Sequence, residues 1–233
     1  MEDKLKEGLG VLTRESTNEE IKHVAFEFVH DLGFMTFSTI GLDGEPAARG
    51  IEVHYLDDTE TLYIGMSPGK PMYYEMVRHP YVAAVGTSLT VGRLSGSVRL
   101  FAELEDVDPD KNPEIYARYW ELNPGTKALY RKALYHFRIF RLKSGTGRVF
   151  HMGGDDIVEN SRFTWGGATL KPWAYEIDED KCLGCGTCET LCMEDVIHPT
   201  GDGKYRIDHF NCLECGICAD NCPGDAVICS GRG

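Results

Sequence analysis

The chain has 233 residues, of which 42% are hydrophobic and 26% charged, and its formal net charge is -13. This composition is that of an ordinary globular protein, so a wholly disordered, collagen-like or coiled-coil chain is excluded. The acidic balance argues against a nucleic acid or an anionic membrane as the main partner. No stretch approaches the roughly 18 apolar residues of a spanning helix. The opening residues contain no apolar signal segment, so the expected location is the cytoplasm.

The distribution of cysteine and charge predicts two unequal domains. All nine cysteines lie between Cys182 and Cys229. Residues 174–233 carry 12 acidic and 4 basic side chains, a formal charge of -8, which leaves -5 for residues 1–173. A disulfide framework spread through a secreted fold would not be confined in this way.

The first predicted element is an amphipathic helix. Thr17 and Glu20 have the spacing of a capping box, in which each side chain bonds to the other's backbone N–H. Apolar residues then recur at the three- and four-residue spacing of one helical face. They are Ile21, Val24, Ala25, Phe28 and Leu32.

Strand-like runs separated by turn signals follow this helix. They cover residues 34–40, 47–55, 61–66, 81–85, 97–104 and 135–142, with short helices predicted at 114–122 and 126–133. Gly145-Thr146-Gly147 lacks the strand-to-helix context of a dinucleotide-binding loop, so we interpret it as a turn. Sequential antiparallel strands with a few helices at the rim indicate a small barrel.

Two cations in this region suggest an anion site. Arg49 lies in the second predicted strand, and Lys70 lies in the Gly-containing turn after the third. A guanidinium can hold a phosphate through two parallel N–H bonds, and a lysine beside free backbone N–H groups adds a point charge. The alternative is that both are ordinary surface residues, as most single Arg and Lys residues are.

The order of these elements resembles the flavin-binding split barrel of the pyridoxamine 5'-phosphate oxidase-like superfamily over about residues 16–150. The resemblance implies FMN, with its ring along the backbone of two strands and its phosphate held by Arg49 and by Ser67 and Lys70 of the turn. It also implies a homodimer. The implied flavin residues are Arg49, Gly50, Ile51, Ile64, Gly65, Ser67 and Lys70. Where the oxidase has a lysine near the flavin, this chain has His54. The oxidase also binds the substrate phosphate with an arginine and a histidine, and Arg148 and His151 do not have the spacing of that pair. Vitamin B6 oxidation is therefore disfavoured.

The C-terminal sixty residues contain two copies of one cysteine pattern. Cys182, Cys185, Cys188 and Cys192 follow the spacing Cys-x-x-Cys-x-x-Cys-x-x-x-Cys. Cys212, Cys215, Cys218 and Cys222 repeat it, each 30 residues after its counterpart. The surrounding residues match at the same offset, so a small unit has been duplicated. Short strands are expected at 174–177 and 205–207, and Cys229 belongs to neither run.

Three thiolates spaced in this way can bind three irons of a cubane, but the loop is too tight to supply the fourth corner. The region resembles bacterial-type ferredoxins with two [4Fe-4S] clusters, in which each run gives its fourth cysteine to the other cluster. That resemblance assigns Cys182, Cys185, Cys188 and Cys222 to cluster I and Cys212, Cys215, Cys218 and Cys192 to cluster II. Met193 replaces the proline that usually follows the fourth cysteine. The alternative is a pair of structural zinc sites.

These observations predict a fold class and domain bounds. We expect an N-terminal, mainly-β FMN-binding split barrel with peripheral helices over residues 1–159. A linker at 160–173 would lead to an α+β ferredoxin-type domain with two clusters at 174–233.

The predicted function is that of an FMN-dependent oxidoreductase in which the two clusters relay single electrons to or from the flavin for reduction of a small substrate. Oxygen-labile clusters indicate an anaerobic setting, and no residue is identified as catalytic. One alternative is a flavo-ferredoxin that carries electrons between larger redox partners without a substrate of its own. Another is a split barrel that binds F420 or haem instead of FMN.

Overall fold

The computed structural model describes residues 9–90, 93–152 and 158–230. Contacts divide the chain into two compact units. The first contains the described residues up to Val149 together with Ser161–Thr169. The second contains the described residues of Phe150–Asn160 and those from Leu170 onward. None of the described helices is long and apolar enough to cross a membrane.

The helices and strands number as follows in chain order. The helices are α1 (Asn18–Leu32), α2 (Pro71–Arg78), α3 (Pro113–Leu122), α4 (Pro124–Leu129), α5 (Thr187–Leu191) and α6 (Ile217–Asp220). The larger sheet contains β1 (Phe34–Ile40), β2 (Pro46–Leu56), β3 (Thr61–Met66), β4 (Tyr81–Thr90), β5 (Arg93–Val107), β6 (Arg138–Met152) and β7 (Val158–Trp165). The short strands are β8 (Tyr175–Ile177), β9 (Ile197–Pro199), β10 (Tyr205–Ile207) and β11 (Val227–Cys229).

Helix α1 confirms the predicted capping box. The Thr17 hydroxyl accepts a hydrogen bond from the Glu20 backbone N–H at 3.3 Å, and the Glu20 carboxylate accepts one from the Thr17 N–H at 2.7 Å. Gly33 ends the helix in the left-handed conformation, with φ of 74°, which glycine adopts at no steric cost. The buried face of α1 includes Phe26 and Val29, which join the main apolar core.

The first unit is a closed barrel of six antiparallel strands. Their order is β3-β2-β1-β4-β5-β6, and pairing of β3 with β6 closes the sheet. Strand β7 lies beside β6 at the outside of this closed set. Closure leaves the six strands without an unpaired edge. The N-terminal split-barrel fold predicted from the sequence is therefore confirmed.

Strand β3 is buried on both of its faces. Leu62 and Ile64 belong to the core that fills the barrel, whereas Tyr63 belongs to a second cluster with Tyr119 and Phe137. All three of the β3 side chains are fully buried. A strand covered on both sides is expected to be a continuous apolar run rather than an alternating one.

Several predicted element bounds differ from those observed. Strands β4 and β5 are longer than the predicted 81–85 and 97–104. Strand β6 begins at Arg138, because residues 134–136 form a 3-10 turn in which Tyr135 is exposed. Helix α4 covers Pro124–Leu129, earlier than the predicted 126–133. Strand β7 occupies part of the segment assigned as a linker, and the domain bounds 1–159, 160–173 and 174–233 remain a prediction.

The turn predicted at 145–147 was wrong, because these residues lie within β6. A β-carbon on Gly145 would lie 2.3 Å from the Phe101 carbonyl oxygen. A β-carbon on Gly147 would lie 2.1 Å from the Phe163 ring. These glycines are therefore required by close packing within a strand, a role that spacing alone does not distinguish from a turn.

The second unit retains the duplication seen in the sequence. Strand β8 pairs with β11, and β9 pairs with β10, giving two small antiparallel sheets. Helices α5 and α6 begin at Thr187 and Ile217, 30 residues apart. A small core contains residues of both halves, among them Val196, Ile207 and Val227. This architecture confirms the predicted α+β ferredoxin-type domain.

The packing around Gly147 generates a stability prediction for the barrel. We expect Gly147→Ala to lower the free energy of unfolding by about 1–3 kcal/mol, because the methyl group overlaps the Phe163 ring. Gly125→Ala is the matched control, since a β-carbon there meets nothing within 4 Å. Urea unfolding followed by tryptophan fluorescence measures both. An equal effect of the two variants would contradict the packing argument.

Candidate functional site

Two cavities in the second unit are each lined by four cysteines. Cavity I is lined by Cys182, Cys185, Cys188 and Cys222. Cavity II is lined by Cys192, Cys212, Cys215 and Cys218. Each cavity thus combines three cysteines of one run with the fourth cysteine of the other. Cys229 lies in β11 and lines neither cavity.

Glycines shape the loops that carry the first three cysteines of each set. Gly184, Gly186 and Gly216 have φ of 68°, 74° and 83°, in the left-handed region. A β-carbon on Gly184 would lie 2.4 Å from the Gly203 carbonyl oxygen, and one on Gly216 would lie 2.6 Å from the Tyr175 hydroxyl. The glycines therefore allow the loops to curl and let neighbouring groups approach them closely.

Polar hydrogens lie near several of the cysteine sulfurs. The Glu214 N–H donates to Cys212 Sγ at 3.3 Å, and the Ala226 N–H donates to Cys222 Sγ at the same distance. The Thr187 hydroxyl lies 3.4 Å from Cys185 Sγ. Hydrogen bonds of this kind favour the thiolate, which is the form that binds metal.

Two of the thiols that line cavity II, Cys212 and Cys218, have raised pKa values. Burial raises the pKa of Cys218 to about 11. Burial also raises the pKa of Cys212, with smaller contributions from Glu214, Cys192 and Cys215. A cation in the cavity would reverse this effect, because a coordinated thiol is deprotonated by the metal's charge. The soft, four-sulfur donor set fits an iron–sulfur cluster.

Asn160 holds the loop that leads into cavity II. Its backbone N–H donates to the Phe210 carbonyl at 2.6 Å, and its side-chain Nδ2 donates to the Cys212 carbonyl at 2.7 Å. The residue is 2% exposed. Asn160 belongs to the second unit although it lies far from Cys212 in sequence. Sequence analysis missed this role because nothing in the cysteine pattern indicates a distant donor.

In the barrel, Arg49 forms an ion pair that the sequence did not reveal. Its Nη1 and Nη2 donate to the two Glu75 carboxylate oxygens at 2.7 and 2.9 Å. Thr39 joins the group, since its hydroxyl donates to Glu75 at 2.6 Å and accepts from Arg49 at 3.0 Å. Glu75 is 3% exposed, whereas the Arg49 side chain is 32% exposed.

The sequence contained one signal for Glu75. Met72, Glu75 and Met76 lie on one face of α2, and both methionines enter the barrel core. A carboxylate on an apolar helical face is expected to have a buried cationic partner, because an unpaired buried charge is costly. The partner could not be named without the fold, since the strand and the helix are distant in the chain.

The other predicted phosphate-binding residues lie at the start of α2. Lys70 is the N-cap of this helix and is exposed. The Ser67 hydroxyl accepts a hydrogen bond from the Gly69 N–H at 3.4 Å. Lys70 and Glu75 are separated by about 7.5 Å along a helix axis at the standard rise. The structure therefore places Arg49, Ser67 and Lys70 around one short helix.

The residues predicted to face the flavin ring have different surroundings. Gly50 is exposed, and a β-carbon there would meet nothing within 4 Å. Ile51 is half-buried against the barrel core, and Ile64 is fully buried within it. A β-carbon on Gly65 would lie 2.3 Å from the Phe137 ring and 2.7 Å from the Tyr119 hydroxyl. The space on the side-chain face of Gly65 is thus filled by protein, whereas the space at Gly50 is open.

His54 lies in a buried polar group on the outer face of the barrel. Its Nε2 is 2.6 Å from Asn123 Nδ2, and its ring packs edge-on against Tyr119 at 5.2 Å. Burial lowers the pKa of His54, and the neighbouring His30 lowers it further. The neutral imidazole is therefore favoured at this position. Asn123, a partner that the sequence did not indicate, is also buried.

Comparisons with known proteins bear on both units. Residues 181–227 match the family model of the 4Fe-4S dicluster domain. The C-terminal unit is a ferredoxin-type domain. Its cysteines support at least one [4Fe-4S] cluster. No curated protein matches the chain.

Solved structures resemble the barrel. A nimc/nima family protein from Clostridium acetobutylicum has a TM-score of 0.51 and 21% identity, and the match covers 64% of this chain and 94% of that one. A pyridoxamine 5'-phosphate oxidase-related, FMN-binding protein from Nostoc punctiforme has a TM-score of 0.42 and 12% identity, with 70% and 99% covered. A heme-binding protein from Mycobacterium smegmatis has a TM-score of 0.47 and 15% identity, with 64% and 59% covered. The first of these similarities supports the fold of the barrel.

The buried ion pair generates a second stability prediction. We expect Glu75→Ala to lower the free energy of unfolding of the barrel by about 1–3 kcal/mol, because Thr39 and Arg49 lose a buried acceptor. Glu121→Ala is the control, since Glu121 pairs with Arg118 at 3.1 Å on the surface with side chains 63% and 47% exposed. Exposed pairs of this type contribute about 0–1 kcal/mol. Equal decreases in the free energy of unfolding, measured in urea, would show that the buried pair stabilises the barrel no more than the exposed pair does.

Proposed function

We propose that this protein is a flavin- and iron–sulfur-dependent oxidoreductase with two [4Fe-4S] clusters and FMN. The observation that carries the proposal is the pair of four-cysteine cavities, each assembled crosswise from both runs. A ferredoxin-type domain supplies one-electron transfer and performs no substrate chemistry by itself. A bound flavin would supply the conversion between one- and two-electron steps that reduction of a small molecule requires.

The crossed cavities support the specific cluster assignment. Cys182, Cys185, Cys188 and Cys222 would hold cluster I in cavity I. Cys192, Cys212, Cys215 and Cys218 would hold cluster II in cavity II. Three closely spaced cysteines in each set match the tight loop of a cubane site, and the fourth comes from the opposite half.

The surroundings of α2 support an FMN phosphate site. The bonds to Glu75 and Thr39 use Nη1 and one hydrogen of Nη2 of Arg49. Of the five guanidinium N–H donors, those on the Nε edge make no hydrogen bond within the part of the chain that the structure describes, and they would be available to a ligand. Lys70 adds a positive charge at the helix N-terminus, where anions are favoured, and Ser67 adds a hydroxyl. Gly50 and Ile51 would support the ring on the open side of β2, and the backbone of Ile64 and Gly65 completes the proposed set.

The filled space at Gly65 favours a second candidate function. Because Phe137 and Tyr119 occupy the side-chain face of Gly65, a flavin ring has less of β3 available than the predicted site requires. The barrel would then bind F420 or haem instead of FMN. A separate alternative is a flavo-ferredoxin that carries electrons between larger redox partners without a substrate of its own. In either case we propose a cytoplasmic homodimer, and its partner is a redox protein or a small-molecule substrate.

The cluster assignment predicts the iron content of protein purified without oxygen. We expect about eight irons and eight acid-labile sulfides per chain, the content of two cubanes. Cys222→Ala should remove about half of the iron, because it removes one ligand of cavity I. Cys229→Ala is the matched control and should keep all of it. Retention of eight irons by Cys222→Ala, or equal loss in both variants, would contradict the assignment.

The phosphate site predicts how the barrel binds flavin. We expect FMN near one per chain on release, and we expect flavin-stripped Lys70→Ala to bind FMN about tenfold more weakly, since a charge-assisted hydrogen bond contributes about 1.5–3 kcal/mol. Lys132→Ala, at another exposed lysine of the first unit, should bind as the wild type does. Flavin fluorescence quenching measures the dissociation constants. Iron without any FMN binding would contradict the FMN-dependent function and favour a barrel that binds F420, haem or no cofactor.

A further inference from the structure

The duplication in the second unit allows the two cavities to be compared position by position. Each residue of the first half has a counterpart 30 positions later. Tyr205 lines cavity I and its counterpart Tyr175 lines cavity II, so much of the surroundings is equivalent. Where the counterparts differ in charge or hydrogen bonding, the two cavities acquire different electrostatic environments.

The first difference concerns the carbonyl of the first cysteine in each run. The Cys182 carbonyl accepts a hydrogen bond from the Lys204 ammonium at 2.5 Å. The equivalent Cys212 carbonyl accepts its hydrogen bond from the Asn160 amide at 2.7 Å. Ala174 occupies the position equivalent to Lys204. A cation is therefore fixed beside cavity I, whereas a neutral group occupies the same place beside cavity II.

The second difference concerns carboxylates. Glu194 and Glu214 both line cavity II. Their counterparts beside cavity I are Gly224 and Gly184. Glu214 even retains the left-handed backbone of Gly184, with φ of 55° against 68°. No Asp or Glu is among the described residues that line cavity I.

The third difference concerns a hydrogen bond to sulfur. The Thr187 hydroxyl lies 3.4 Å from Cys185 Sγ in cavity I. Its counterpart is Ile217, an apolar residue that lines cavity II and has no hydroxyl to offer to Cys215. Hydrogen bonds to cluster sulfurs are one of the factors that set the reduction potential.

Four carboxylates act in the opposite direction. Glu179, Asp180 and Glu189 belong to the first half, and their counterparts His209, Phe210 and Ala219 carry no carboxylate. Asp202, whose counterpart is Pro172, accepts a hydrogen bond from the Lys204 backbone N–H at 3.3 Å. All four are exposed and line neither cavity. Water and salt screen exposed charges more strongly than partly buried ones, so the residues at the cavity walls should dominate.

From these differences we propose that cavity I holds the cluster with the higher reduction potential. The inference rests on the proposed assignment of two clusters. Reduction adds one negative charge, which Lys204 and Thr187 stabilise beside cavity I and which Glu194 and Glu214 oppose beside cavity II. A single electron shared between the two clusters therefore resides mainly in cavity I, and cavity II provides the stronger reductant.

A potentiometric titration of the full chain, followed by electron paramagnetic resonance, tests the proposal. The wild type should show two one-electron transitions. Lys204→Gln should lower the higher one, so that the ratio of reduced to oxidised cluster at a fixed potential falls about tenfold, equivalent to about 59 mV. Lys204→Arg keeps the positive charge and should leave the potential of the higher transition unchanged. Glu194→Gln combined with Glu214→Gln should raise the lower transition and leave the higher one unchanged.

The control is Lys181→Gln, which removes the same charge from a side chain that is 59% exposed and paired with Asp178. Its shift should be less than half of that of Lys204→Gln. Eight irons with coincident transitions, or a Lys204→Gln effect on the lower transition, would overturn this proposal alone. An iron count near four would overturn the two-cluster assignment and this proposal together.

Discussion

The second unit depends on the need to bring a fourth thiol to each tight three-cysteine loop. Three cysteines separated by two residues each can direct their sulfurs toward one point, but so short a loop cannot also supply the fourth sulfur. In the duplicated sequence each half gives its fourth cysteine to the other half. Cys222 completes the cavity of the first loop, and Cys192 completes that of the second. The strand pairing follows the same logic, because β8 from the start of the unit pairs with β11 from its end.

In the barrel, the corresponding constraint is closure of the sheet. Pairing of β3 with β6 closes the sheet, and side chains of the core and of the second apolar cluster bury the two faces of β3. In the same unit Arg49 on β2 pairs with Glu75 on α2, and Thr39 on β1 completes their hydrogen bonding. The pair fixes the guanidinium with one edge occupied. The N–H donors of Arg49 that an anion could use therefore depend on the buried Glu75 carboxylate as well as on the arginine itself.

Particular residues show how far the sequence could be interpreted. The capping box at Thr17 and the strands at 34–40 and 61–66 were predictable because capping and local apolar patterning depend on near neighbours. Gly145 and Gly147 were misassigned to a turn because a glycine required by close packing against another strand looks the same in sequence as one required by a turn. Strand β7 was missed within the segment assigned as a linker, because its position beside β6 is established only when the chain folds.

The sequence by itself determined the cysteine spacing and its repetition after 30 residues. The expectation of crossed ligand sets follows from the resemblance to bacterial-type ferredoxins. The tertiary structure decided which groups surround those sulfurs. Asn160 and Lys204 donate hydrogen bonds to equivalent carbonyls from unrelated positions in the chain. Glu75 accepts hydrogen bonds from Arg49, for which the sequence indicated no partner. Hydrogen bonds and ion pairs between distant residues exist only after folding, because short-range spacing carries no record of which segments will meet.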